Sequence, residues 1–279
     1  MMNRVIGFSI MMVVLAVGSV GFAGQSAREL ANKGHATFLQ VLGGDESKYS
    51  EAIRYMEQAR ETDPTDTVNL YNLARAYFFQ AATNGSNEYA VKAEQVLAKL
   101  LELKPNDTRA LSFHGSVLTS ISQGRDIAKF MQGAQEMKGA LAKDPNDINN
   151  RIVIAFTARN FPPQALAAMG NYDSLKDLEF VRDAFNGQWF DYAPHADVVM
   201  HAFVGEAYKA RGDEANARKN YQAALDAQQP TDGGEKKGRA VLDQMIRTRL
   251  NGGDKPLGGQ VFGGCHSCHL NAPEKLPTK

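Results

Sequence analysis

The chain has 279 residues, with 31 lysines and arginines set against 31 aspartates and glutamates. That balance leaves no overall field to recommend nucleic acid or an anionic membrane as partner. The length serves one extended or two small domains, and both cysteines fall within one five-residue stretch, so packing rather than a disulfide framework has to hold the fold.

The N-terminus carries a short basic region at Arg4, an apolar run from Val5 to Phe22, and small residues Gly21 and Ala23 where a signal peptidase reads. The pattern predicts a signal peptide over residues 1–23, cut after Ala23, with an uncleaved anchor as the other reading. No cysteine follows the cut, which argues against a lipoprotein. The expected location is the bacterial periplasm or the medium, with no membrane span after cleavage.

An internal repeat organises residues 24–230. Asp63-Pro64, Lys104-Pro105 and Asp144-Pro145 recur 41 (105 − 64) and 40 (145 − 105) residues apart, each at the end of a helical stretch. Twelve residues before each proline stand Ala52, Ala93 and Gly133; eight before, Met56, Leu97 and Met137; five before, Ala59, Leu100 and Ala140. The preceding stretches carry Leu70, Leu73-Ala74 and Tyr77, then Leu111, His114-Gly115 and Leu118. A last copy holds His201, Val204-Gly205, Tyr208, Ala217, Tyr221 and Ala224 around the turn Arg211-Gly212-Asp213. This alternation of small and large positions resembles the tetratricopeptide repeat. Small residues let two helices approach and large ones fill the gap. Ala27 to Leu42 pairs with Lys48 to Thr62, and a degenerate copy runs from a helix near Ile152 to Arg159, through Pro162-Pro163, to a helix near Ser174 to Phe185.

The resemblance implies an all-α solenoid of some five helix pairs, stacked into one continuous core with a concave side lined by the first helices. Such an architecture binds partners more often than it catalyses. Projected onto the repeat, Tyr71, Arg75, Phe78 and Phe79 face the groove in the second pair, with Phe78 favoured as a packing residue. Ser112, Ser116 and Thr119 face it in the third pair, and Glu206 and Lys209 in the last. Tyr71, Arg75 and Phe79 are the candidate partner contacts.

Residues 231–250 read as a polar linker and an amphipathic helix, Glu235 to Leu250, whose Val241, Leu242, Met245, Ile246 and Leu250 would cap the open end of the stack. Residues 251–279 open with a glycine-rich run and contain Cys265-His266-Ser267-Cys268-His269, a CxxCH motif. Two thiols at this spacing can each add across a vinyl group of one haem, and the next histidine then stands where it can ligate the iron. A disulfide clip, a thioredoxin-type pair and a zinc site are the competing readings. No strand–helix–strand pattern supports a thioredoxin-type pair, and the usual second ligand pair of a zinc site is missing. Export supports haem, because thioether attachment takes place outside the bacterial cytoplasm.

The motif and its lead-in Gly259-Gln260-Val261-Phe262-Gly263-Gly264 resemble the cytochromes c. The resemblance implies one covalent haem c, with Cys265 and Cys268 as thioether ligands and His269 as the proximal iron ligand. Ten residues follow the motif in this sequence (279 − 269), without a methionine, a histidine or a helix pattern. The expectation is therefore that the haem packs on the solenoid or on a second chain. His195, in a loop after Pro194, is the first candidate for a sixth ligand, ahead of His35, His266, Met200 and Met245; His114 and His201 fit core positions. The leading functional expectation is a monohaem electron carrier whose repeats dock a redox partner protein or cytochrome. The alternatives are a scaffold whose haem stabilises an interface in a homo-oligomer or cytochrome oligomer, and a gas- or peroxide-reactive protein with an open iron site.

Overall fold

A computed structural model describes residues 26–42, 45–122, 125–159, 161–185, 196–227, 233–253 and 257. Among them the chain is helical throughout, with no strand. Helix α1 (Ala27–Leu42) pairs with α2 (Tyr49–Thr62) across a single 3-10 turn at Glu46–Lys48. Helices α3 (Thr67–Asn84) and α4 (Asn87–Leu103) form the second pair, and α5 (Thr108–Ser122) and α6 (Ile127–Lys143) the third. Helix α7 (Ile148–Ala158) is followed by the six-residue α8 (Pro163–Ala168) and by α9 (Ser174–Phe185). Helices α10 (Ala196–Ala210) and α11 (Glu214–Asp226) make the last pair, and α12 (Gly233–Leu250) lies on α11. No helix of the described residues is long and apolar enough to cross a membrane.

The three prolines of the repeat build one turn three times. Asp63, Lys104 and Asp144 each end a helix in non-helical conformation, as a residue before proline must. The carbonyl of each accepts from the amide three residues on, at Asp66, Asp107 and Asp147 (3.5, 3.1 and 3.4 Å), which closes a β-turn with proline in its second position. Those three aspartates then cap the next helix: Asp66 accepts from the Val68 and Asn69 amides, Asp107 from Ala110 and Asp147 from Asn150.

The small residues mark the crossings within pairs. Ala52, Met56, Ala93, Leu97, Met137 and Ala140 are each 0% exposed. Gly115 of α5 lies against the Gly133 carbonyl of α6, Gly34 of α1 against Met56, and Gly205 of α10 against the ring of Tyr221. One core cluster runs from Phe38 through α5 to Val153, and a second from Ile152 through α12 to Leu257.

Helix α12 closes the second cluster with Leu242 and Ile246. Its Arg239, 1% exposed, donates through Nη2 to the Ala224 and Ala227 carbonyls (2.9 and 3.1 Å) and through Nε to Asp243 (2.7 Å). The end of α11 thus has its free carbonyls met by a cation, the charge that a helix C-terminus favours. At its own end α12 stops in a Schellman turn: Gly253 N–H bonds to the Thr248 carbonyl (2.9 Å) and Gly252 N–H to Arg249 (3.2 Å), with Gly252 at φ +88°.

Candidate functional site

Several cavities open among the described residues, and two of them bear on binding. The first, about 410 Å³, lies among α1, α3 and the start of α5 and is lined by His35, Asn72, Tyr71 and Arg109, with Arg28 and Asp66 at its edge. Arg28 and Asp66 stand 3.7 Å apart, and Arg109 is held by Asp147 at 2.7 Å. Three polar atoms in this lining are buried with no hydrogen-bond partner among the described residues: the Tyr71 hydroxyl, Nδ1 of His35 and Oδ1 of Asn69. Burial, and secondarily the charge of Arg75, lowers the pKa of His35, which keeps its ring neutral. An arrangement with three unused hydrogen-bonding groups behind a polar rim fits a polar ligand such as a peptide backbone or side-chain amide.

The three projected partner contacts separate on inspection. Tyr71 lines this cavity, its ring edge-on to Phe113 at 5.9 Å. Arg75 is wholly buried beneath it, donating to Asn72 Oδ1 (2.9 Å), with its guanidinium 5.7 Å from the Phe38 ring. Phe79 is a core residue instead of a groove residue: it is 8% exposed and packs edge-on to Phe38 at 5.8 Å, because α1 closes over that face of α3. Phe78 packs on Phe113 at 5.4 Å.

The groove expected on α5 is also filled. Ser112 donates to Asn150 (2.8 Å) and Ser116 meets Thr157 (2.8 Å), both on α7, while Thr119 donates back to the Ser116 carbonyl. First helices here pack on their neighbours and leave no open trough at that level.

The second cavity, about 570 Å³, lies among α7, α9 and α10. Leu166, Leu178, Phe203 and Leu257 give it apolar walls, and Arg159 stands at its mouth. The Arg159 guanidinium lies 4.7 Å from the Phe203 ring centroid and 5.9 Å from that of Phe156. Side-chain surface of Arg159 remains open to water, yet the protein packed around its head group lowers its pKa, and the charge of Glu206 opposes that shift. Among the described residues Arg159 has no carboxylate within ion-pair distance.

Glu206 is committed elsewhere. It accepts from Arg249 at both oxygens (2.6 and 2.9 Å) and from the Tyr221 hydroxyl (2.6 Å). Arg249 also donates to the Gly253 carbonyl (2.8 Å), and Leu257 is 5% exposed in the α10 core. The chain beyond α12 is thereby turned back onto the cavity wall. Lys209, the other residue projected onto this groove, is half-buried.

Of the iron-ligand candidates, His114 is buried with Nδ1 at 2.6 Å from Glu136, and His201 sits 3.6 Å from Asp197; both are packed and partnered. Met200 is 0% exposed in the core and Met245 is half-buried against it. His195, His266 and the motif residues Cys265, Cys268 and His269 lie outside the described residues, as does the signal-peptide segment. Among the described residues no group of three histidine, cysteine or acidic side chains stands close enough to hold a metal ion.

No family model matches the chain, and no curated protein matches it. Among solved structures it is similar to MamA, residues 41 to the end, from Desulfovibrio magneticus RS-1, at 17% identity and a TM-score of 0.45 over 75% of this chain and 99% of that one. It is also similar to a second crystal structure of MamA, at 17% identity and a TM-score of 0.36 over 75% of this chain and 96% of that one.

Sequence reasoning missed Arg159, Phe203 and Leu257. Arg159 follows a degenerate repeat helix, Phe203 reads as one more apolar position of α10, and nothing in the local pattern links either to Leu257, 98 (257 − 159) and 54 (257 − 203) residues on.

Proposed function

We propose that this chain is an exported monohaem c-type cytochrome in which a tetratricopeptide-like solenoid docks a redox partner protein. The observation that carries the reading is the motif Cys265-His266-Ser267-Cys268-His269, which holds both cysteines of the chain behind an N-terminal export pattern. Cys265 and Cys268 would hold haem c through thioethers, and His269 would ligate its iron. Two thiols and an imidazole are the donor set this group requires. The fold also offers a wall of aromatic and aliphatic side chains beside the chain that leads to the motif. When bound, the group supplies reversible one-electron chemistry at iron.

The solenoid's part is binding. The Tyr71 and His35 cavity presents unused hydrogen-bonding groups on the N-terminal half of the stack, as a docking site for a partner's polar surface requires. The same cavity supports a scaffold reading, in which the haem orders an assembly and carries no current.

The test is an absorption spectrum of the full chain matured with cytochrome c assembly machinery, oxidised, dithionite-reduced and then exposed to carbon monoxide. Sharp reduced bands that ignore the gas support electron transfer. A gas-shifted band moves the function to an open iron site, and a protein without covalent haem refutes the cytochrome reading.

A further inference from the structure

A haem attached through its edge is a large apolar disc carrying two propionates. Its seat needs apolar walls, a cation at the rim and access from the point of attachment. The cavity among α7, α9 and α10 has all three. Phe203, Leu166, Leu178 and Leu257 wall it, Arg159 stands at its mouth, and Leu257 belongs to the chain that leads to Cys265. We propose that this cavity is the seat of the chain's own haem and that Arg159 pairs with a propionate, an inference that rests on the haem reading above.

The charges around the cavity leave that role to Arg159. Arg211 is held by Asp173 at 2.5 Å, and Arg249 is fixed on Glu206. Arg159 has aromatic contacts to Phe203 and Phe156 and no acid within ion-pair distance among the described residues. A guanidinium resting on an aromatic face beside an apolar hollow matches a ligand with a flat apolar body and an anionic edge.

The tether selects the occupant. Cys265 stands eight positions beyond Leu257 (265 − 257), a stretch that spans at most about 28 Å when extended. Since Leu257 is itself part of the wall, the attachment point has slack to spare. A short link between two sites holds its cargo at an effective concentration in the millimolar range, roughly a thousandfold above a second chain at micromolar concentration. At the end of α12, Arg249 bonds both the Gly253 carbonyl and Glu206, a residue of the cavity lining.

The experiment uses full-length holoprotein with alanine and leucine methyls labelled for NMR, compared between oxidised and reduced states. A change in iron spin or charge shifts methyls near the haem. The expected result is that Leu166, Leu178, Ala207 and Ala210 shift between states while Ala74 and Ala93, in the second helix pair, do not. Arg159→Gln should also move the reduction potential negative, because a cation at a propionate favours the less positive ferrous form, and Arg159→Lys should restore part of that shift. Haem-bearing protein in which these four methyls stay still, or in which their shifts fade on dilution, overturns the seat alone. A matured chain whose mass shows no haem overturns the cytochrome reading and the seat with it.

Discussion

At the crossing of α5 and α6 a glycine of each helix faces the backbone carbonyl of the other, and Gly115→Ala tests it. A Cβ built on Gly115 would stand 2.5 Å from the Gly133 carbonyl oxygen, against 3.4 Å for an ordinary contact, and neither partner is a side chain that can swing aside. The helices would have to part by about 0.9 Å (3.4 − 2.5) at that point. A gap of that size forfeits a quarter to a half of the dispersion well for each atom pair it opens. For on the order of 40 pairs at about 0.15 kcal/mol, the loss is roughly 1.5–3 kcal/mol. Replacing a mid-helix glycine returns about 1 kcal/mol of helix propensity. The net expectation is a destabilisation of about 0.5–2 kcal/mol, or a fall in Tm of roughly 1–8 °C for a chain of this size. Gly139→Ala on the partner helix α6 is the control. Its added methyl would meet only Leu111 Cδ2, at 3.9 Å, so it should gain about 0.5–1 kcal/mol from propensity. Thermal melts followed by circular dichroism at 222 nm read both variants. If Gly115→Ala raised Tm as Gly139→Ala does, the backbone crossing would be wrong.

Three further outcomes are expected. Arg249→Met leaves Glu206, 17% exposed, with the Tyr221 hydroxyl as its remaining side-chain donor among the described residues, and should cost about 2–3 kcal/mol in urea denaturation, less than a fully buried pair because water still reaches the carboxylate; adding Glu206→Gln should recover more than half. Burial lowers the folded pKa of His35 below its unfolded value of 6.5, so its contribution is present above pH 6.5 and is lost as pH falls through that value toward the folded pKa. His35→Gln should therefore flatten the loss of stability between pH 7.5 and about 5.5, measured by urea titration at each pH, and an unchanged slope would count against a neutral buried ring. Replacing Cys265 and Cys268 together by serine should remove the covalent haem mass while leaving the far-ultraviolet helix signal, since the helices of the described residues all precede the motif.

The repeat was legible because its physics is local and periodic. Proline after a helix end, an aspartate cap two residues later, and small residues at a fixed distance before the proline each leave a mark in the chain order. Ala52, Ala93 and Gly133 therefore proved to be crossing points, and the boundaries read for α1 and α9 match the structure. The groove was less legible. Projection put Phe79 and the three α5 hydroxyls on an open face, but which face of a first helix stays open depends on how far its neighbour closes over it. Here α1 covers Phe79 and α7 takes up Ser112 and Ser116. Tyr71, one turn nearer the start of α3 than Arg75, escapes that cover and lines the cavity.

The degenerate copy explains why the second cavity exists. In the regular pairs a first helix of 15 to 18 residues is followed by a second of 13 to 17, and the pair fills its layer. After α7 the prolines at 162 and 163 start the six-residue α8 at its N-cap and first position, and Gly170 and Asn171, with positive φ, follow its end at Ala168 before α9 begins. A layer built from an 11-residue helix and a six-residue helix is short of side chains. Tyr172 and Leu166 from this turn, with Phe203 from α10, surround the missing volume without filling it. A solenoid tolerates such a defect because each layer contacts only its neighbours, so the regular copies on either side keep their packing. Leu257 then reaches this layer from beyond α12 and supplies apolar surface that the shortened repeat lacks. The interruption that weakens the sequence signature at Pro162-Pro163 is thus the feature that leaves room for a ligand, which is why the cavity falls where the repeat is hardest to recognise.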